Sequence, residues 1–165
     1  MAPRTPVVFI HGLWLHATSW QPWVDLFRDH GYAATAPGWP GDADTVKEQR
    51  DNPGAVADYG IDAVAEYYAT SFKSLTTTPV VVGHSFGGLL AEKLLGDGRP
   101  LLLTMGGMDH TVPEAISKST YRKYRQSQAS TQLIEFPDRG HSLTIDHGWR
   151  EIAHTILAWL KDKGL

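Results

Sequence analysis

The chain has 165 residues, 42% of them hydrophobic and 20% charged, which fits one soluble globular domain spanning 1–165. A formal net charge of -3 provides no basic footprint for nucleic acid or an anionic membrane. With no cysteine, disulfides, thiolate metal sites and a cysteine nucleophile are all excluded.

The first element is Pro6-Val-Val-Phe-Ile10, a β-branched apolar run that reads as a strand buried on both faces. It is too short for a secretory core, and no other run is long enough to span a membrane, so the expected location is cytoplasmic. The loop His11-Gly-Leu-Trp14 follows. Ser19 is placed to cap a helix with Trp20, Val24 and Phe27 on one face and Gly31 at its end. Tyr32 to Ala36 reads as a second strand, stopped by Pro37-Gly-Trp-Pro-Gly41. A polar loop occupies roughly 42–54. Ile61, Val64, Ala65, Tyr68 and Phe72 then share one helical face.

Pro79-Val-Val-Val-Gly83 is the third strand, followed by His84-Ser-Phe-Gly-Gly88 and a helix carrying Leu89, Leu90, Leu94 and Leu95. Gly96-Asp-Gly98 ends that helix. Pro100 to Met105 is the fourth strand, and Pro113-Glu114 opens a helix with a weak apolar face. The basic run Lys118, Arg122, Lys123 and Arg125 reads as its solvated side. Thr131 to Phe136 is the fifth strand, and Asp146 is placed to cap a last helix lined by Trp149, Ile152, Ile156 and Leu160. Five alternating βα units predict a three-layer α/β sandwich with a parallel sheet.

Gly83-His84-Ser85-Phe86-Gly87 matches G-x-S-x-G between a buried strand and a helix, the context of a nucleophile elbow. Asp109 follows the fourth strand and His141 the fifth, in the chain order Ser, Asp, His and at the sheet edge where ligands gather. A serine hydroxyl needs a base to take its proton, and the base needs a carboxylate to hold its tautomer. Asp97 and Asp138 compete weakly with Asp109. A developing oxyanion needs two N–H donors, for which Phe86 and Leu13 are the candidates, although His11-Gly12 alone reads better as a plain turn. His11, Trp14, His16, Trp39 and His84 are candidates to line a pocket, as are Phe86 and His110. Trp14, Trp39 and Phe86 read equally as core. His30, His147 and His154 fall on or near helices. No H-E-x-x-H, P-loop or G-x-G-x-x-G occurs, so neither a metal nor another cofactor is expected.

Four segments in order now carry a resemblance: His11-Gly-Leu-Trp14, Gly83-His-Ser-Phe-Gly87, Gly106-Gly-Met-Asp-His-Thr-Val-Pro113 and Asp138-Arg-Gly-His-Ser142. Over essentially its whole length the chain resembles the α/β-hydrolase superfamily, and within it is similar to cofactor-free serine esterases and haloperoxidase-like hydrolases. The resemblance implies Ser85 as nucleophile, Asp109 as acid, His141 as base, and Leu13 and Phe86 as oxyanion donors. It implies a small-molecule ester as substrate. The departure is length. Asp109 follows Ser85 by 24 residues, room for the elbow helix and one strand but not for the further strand and cap usual in the superfamily. The expectation is therefore a minimal, capless, five-stranded core in the order 2-1-3-4-5 with an open site, and apolar surface left by a missing cap would favour self-association. Ester hydrolysis and perhydrolysis share this triad. The alternatives are a trimmed or engineered scaffold with little turnover, and a flavodoxin-like binding module suggested by strand order alone.

Overall fold

The computed structural model describes residues 4–96 and 98–165. Asp97, the weak competitor for the acid role, lies outside them. The chain divides into two compact units, Met1–Leu94 and Leu95–Leu165.

Unit 1 is built around β1 (Pro6–Ile10), which is buried throughout. It pairs in parallel with β2 (Ala33–Thr35) on one side and β3 (Val80–Gly83) on the other. Side chains alternate along a strand, so β1 serves two cores. Phe9 packs against Trp20 and Phe27, with ring centroids 4.8 and 5.1 Å away. Trp23, Val24 and Phe27 are the buried face of α1 (Gln21–Asp29). Val8 and Ile10 join Val64, Ala65 and Tyr68 of α3 (Ile61–Phe72) and Leu90 of α4 (Phe86–Leu94) in a second cluster.

Two local expectations for unit 1 need correction. Ser19 does not cap α1. It lies inside a 3-10 turn, Ala17–Trp20, whose first N–H groups are served by His16, and α1 follows directly with Pro22 in its first turn. The polar loop contains a helix, α2 (Val46–Asp51). Thr45 accepts from the Glu48 N–H at 3.2 Å, and its hydroxyl donates to the Glu48 carboxylate at 2.8 Å. Thr45-Val-Lys-Glu48 has the capping-box sequence, a signal legible in the chain, although here the Glu48 carboxylate meets the Thr45 hydroxyl.

Unit 2 pairs β4 (Leu101–Gly106) with β5 (Thr131–Phe136) in parallel over six residues. α5 (Glu114–Tyr124) contacts both strands but buries no residue, in keeping with its weak apolar face. α6 (Trp149–Asp162) buries Ile152, Ala153, Leu157 and Leu160 along one side. Asp146 does not cap it. Its carboxylate accepts from the Gly148 N–H at 2.8 Å, within the turn that precedes the helix. Acidic residues serve turns as readily as helix starts, so sequence alone does not separate the two.

All five strands thus occur, parallel, but in two ladders, β2-β1-β3 and β4-β5, where one sheet was expected. Apolar patterning marks a segment as extended. It does not choose the partner of each edge, which is a nonlocal decision.

Candidate active site

Ser85 sits between β3 and α4 with φ +56, in the left-handed region that non-glycine residues seldom adopt. The turn is held by hydrogen bonds from Gly87 N–H to the His84 carbonyl (2.9 Å) and from Gly88 N–H to the Ser85 carbonyl (2.8 Å). Gly83 and Gly87 are sterically required there. A Cβ on Gly87 would collide with the Ile10 and His11 carbonyls, and one on Gly83 with the Gly87 backbone. The elbow therefore exists because β1, β3 and α4 approach more closely than any side chain allows. Phe86 opens α4, so its N–H belongs to the first turn, where N–H groups have no acceptor within the helix.

The loop after β1 closes against this turn. A Cβ on Gly12 would lie 2.9 Å from both the His84 carbonyl and the Ser85 Cβ. Leu13 follows and is half-exposed. Trp14 has φ +67 and is 99% exposed, in a turn closed by Leu15 N–H to the Gly12 carbonyl at 3.4 Å.

The remaining pocket candidates of unit 1 have separate places. His11 is buried, 3% exposed, with the Trp39 indole stacked on its ring at 5.0 Å and 17°. Its Nε2 lies 2.9 Å from Asp42 Oδ2 and its Nδ1 2.9 Å from the Gly12 carbonyl. Asp42 Oδ2 also accepts from the Trp39 N–H at 2.7 Å. Burial pushes the Asp42 carboxyl up. The hydrogen bonds from His11 and the Trp39 N–H, with the charges of His11 and His16, outweigh it and hold the group below its ordinary value. Sequence reasoning missed Asp42. The only available signal was its position just past Pro37-Gly-Trp-Pro-Gly41, at the carboxyl end of β2. His16 accepts from Thr18 N–H through Nδ1 and donates through Nε2 to the Ala43 carbonyl at 3.0 Å. His16, Trp39 and Asp42 line a cleft of about 520 Å³ together with Gln21, Arg28 and Asp44. Trp39 and Phe86 also pack, half-buried, against the Val8–Tyr68 core. His84 sits within the elbow, its backbone N–H donating to the Ile10 carbonyl at 3.1 Å.

In unit 2 the loops after β4 and β5 bring Asp109 and His141 together. Gly107 N–H donates to the Phe136 carbonyl and Met108 N–H to the Arg139 carbonyl, both at 2.9 Å, continuing the strand pairing into the loops. His141 Nδ1 then donates to Asp109 Oδ2 at 2.8 Å. Asp109 Oδ1 accepts from the Thr111 and Val112 N–H groups, each at 2.8 Å, which locks the carboxylate from its own loop. Burial raises the Asp109 carboxyl. Hydrogen bonds from Val112, His141 and Thr111 overcome this and leave it below the ordinary carboxylate value. The rival Asp138 is exposed. Arg139 braces the His141 loop, its guanidinium 2.7 Å from His147 Nε2 and 3.0 Å from Glu151 Oε2. His110 is exposed. No helix among the described residues is long and apolar enough to cross a membrane.

Known proteins share this architecture. A protein described as a predicted CIB-like hydrolase from Thermoplasma acidophilum superposes with a TM-score of 0.72 at 21% identity, covering 98% of this chain and 88% of that one. Paleococcus ferrophilus monoacylglycerol lipase gives 0.78 at 16% identity, over 94% and 93% of the two chains. A thermophilic esterase from Thermogutta terrifontis gives 0.73 at 15%, over 96% and 90%. At these identities the likeness is one of fold. No curated protein matches by sequence. The model of the alpha/beta hydrolase family matches residues 7–99, more than half of the chain, taking in β1, its His11-Gly12 loop and the Ser85 elbow, and on that match the chain belongs to the alpha/beta hydrolase family.

Proposed function

We propose that the protein is a serine hydrolase that cleaves carboxylic esters of small molecules through an acyl-enzyme on Ser85. The observation that carries this reading is the left-handed backbone of Ser85 at a strand-to-helix turn in which Gly83 and Gly87 admit no side chain. Strain of this kind costs of order 1–3 kcal/mol and persists where the surroundings over-determine it, typically at functional sites. The Asp109–His141 pair supports the same reading, because a His donating through Nδ1 to an ionised carboxylate presents Nε2 as a base. An esterase and a lipase among the proteins of like fold favour an ester as the bond cleaved.

In this mechanism Ser85 Oγ attacks the ester carbonyl carbon while His141 Nε2 takes the hydroxyl proton. The oxyanion accepts hydrogen bonds from the Leu13 and Phe86 N–H groups, the latter at the positive end of α4. Collapse breaks the bond to the alcohol, which leaves with the proton from His141. Water, deprotonated by the same histidine, then releases the carboxylate from Ser85; hydrogen peroxide in its place would yield a peracid. The full reading sets the strands in one domain in the order 2-1-3-4-5 and leaves the site uncapped, since Asp109 follows Ser85 by only 24 residues. The test is hydrolysis of short-chain p-nitrophenyl esters by the protein and its Ser85→Ala variant, both confirmed folded. A fall of at least about 10³-fold is expected from loss of the nucleophile. Equal background rates in both would favour the second reading, a shortened hydrolase core that folds without turnover.

A further inference from the structure

His11 does more than end a strand. Both ring nitrogens face atoms that can only accept: the Gly12 carbonyl at 2.9 Å from Nδ1 and Asp42 Oδ2 at 2.9 Å from Nε2. A neutral imidazole carries one N–H, so it would direct a lone pair at one of these oxygens; only the doubly protonated ring satisfies both. The surroundings suit a cation. Asp42 supplies a carboxylate, and the face of the Trp39 indole lies stacked on the ring. The partners are themselves held. Asp42 accepts the Trp39 N–H, and the loop leading to them is tied down by Tyr68, whose hydroxyl donates to the Pro37 and Gly38 carbonyls at 3.0 and 3.2 Å.

The consequence falls on the next peptide. In a trans peptide the C=O and the following N–H point in opposite directions from one rigid plane. A donor gripping the Gly12 carbonyl therefore aims the Leu13 N–H away from His11. The same carbonyl accepts from Leu15 N–H at 3.4 Å, and Gly12 itself sits in close contact with Ser85. We infer that His11, donating from both ring nitrogens and held by Asp42, is a positioning residue that orients and polarises the Gly12–Leu13 peptide so that the Leu13 N–H serves the developing oxyanion. This rests on the serine-hydrolase reading above, in which Leu13 is a donor. It assigns to Asp42, on the loop after β2, a part in transition-state stabilisation that no contact with substrate requires.

Two measurements test it. Long-range proton–nitrogen spectra of the wild-type protein with labelled histidine, assigned with a His11→Asn variant, should show both His11 nitrogens protonated at neutral pH. In Asp42→Asn, kcat for p-nitrophenyl acetate should fall about tenfold with KM little changed, a fraction of the 10²–10³ that loss of an entire oxyanion donor costs. Asp42→Glu, which keeps the charge, should recover part of that loss. A merely structural role for Asp42 would lower stability without separating kcat from KM. A neutral His11 ring in the wild type, or a wild-type kcat in Asp42→Asn on an enzyme that still depends on Ser85, overturns the inference alone. Turnover that survives Ser85→Ala overturns the hydrolase reading and the oxyanion role with it, whatever charge His11 carries.

Discussion

The two units hold their candidate site residues by different means. In unit 1 the nucleophile candidate rests on packing. β1 is buried on both faces, and the elbow takes its shape from backbone segments in contact around glycines. In unit 2, β4 and β5 are mostly half-buried and α5 buries nothing, so Asp109 and His141 are placed by hydrogen bonds between loops. A strained serine needs surroundings that over-determine its backbone, whereas a His–carboxylate pair needs only a fixed distance and tautomer. The contrast teaches that a strained backbone and a fixed acid–base pair can be held by different means, the one by a dense core and the other by hydrogen bonds across a thinner one.

The sharpest way to test that division is to damage unit 2 chemically while sparing its fold. Asp109→Asn keeps the size of the side chain and the acceptor for Thr111 and Val112 but favours the wrong histidine tautomer. The expected loss in kcat is about 10⁴-fold, near 5.5 kcal/mol of barrier, with only a modest loss of stability from the missing carboxylate charge. A large stability loss instead would show that the pair is part of the core.

The complementary experiment removes packing from unit 1. Phe9 is fully buried among Trp20, Trp23 and Phe27, so Phe9→Ala should cost about 3–5 kcal/mol in denaturant unfolding. A loss under about 1 kcal/mol, well short of the usual range for such a truncation, would break the comparison.

Acid titration probes unit 2 by another route, the Asp109→Asn variant isolating its carboxyl from Asp42 of unit 1, which is also held low. The folded Asp109 carboxyl lies below its ordinary value of 3.8, so its contribution to stability is present above that pH and is lost as the pH falls through the folded value. The stability difference between wild type and Asp109→Asn should therefore shrink on acidification. A gap that stays constant down to pH 2 would mean that the hydrogen bonds to Asp109 do not favour its charged form. The smallest effect is expected on α5, where Ile116 is exposed. Ile116→Ala should change stability by no more than about 0.5 kcal/mol, and a larger loss would show that this helix is covered by something in solution.

Much of this was legible in the sequence because it is encoded locally. β1 and β5 have the bounds their apolar runs predict, and α3 buries Val64, Ala65 and Tyr68 from the face its spacing marks. The capping-box sequence Thr45-Val-Lys-Glu48 was equally local, yet a polar loop was the expectation there because α2 has no apolar face to announce it. Ser19 and Asp146 were misplaced as caps for the opposite reason: their side chains suit turns and helix starts alike.

By itself the sequence determined the alternation of strands and helices, the order Ser85, Asp109, His141, and the glycines without which no chain could turn at Ser85. These follow from side-chain periodicity and from the steric limits of single residues. Only the tertiary structure decided that the strands form two ladders, β2-β1-β3 and β4-β5, and that Asp42 reaches back across 31 residues to His11. Hydrogen bonds and packing between distant segments depend on where the whole chain closes, and nothing in a residue's immediate neighbours carries that information.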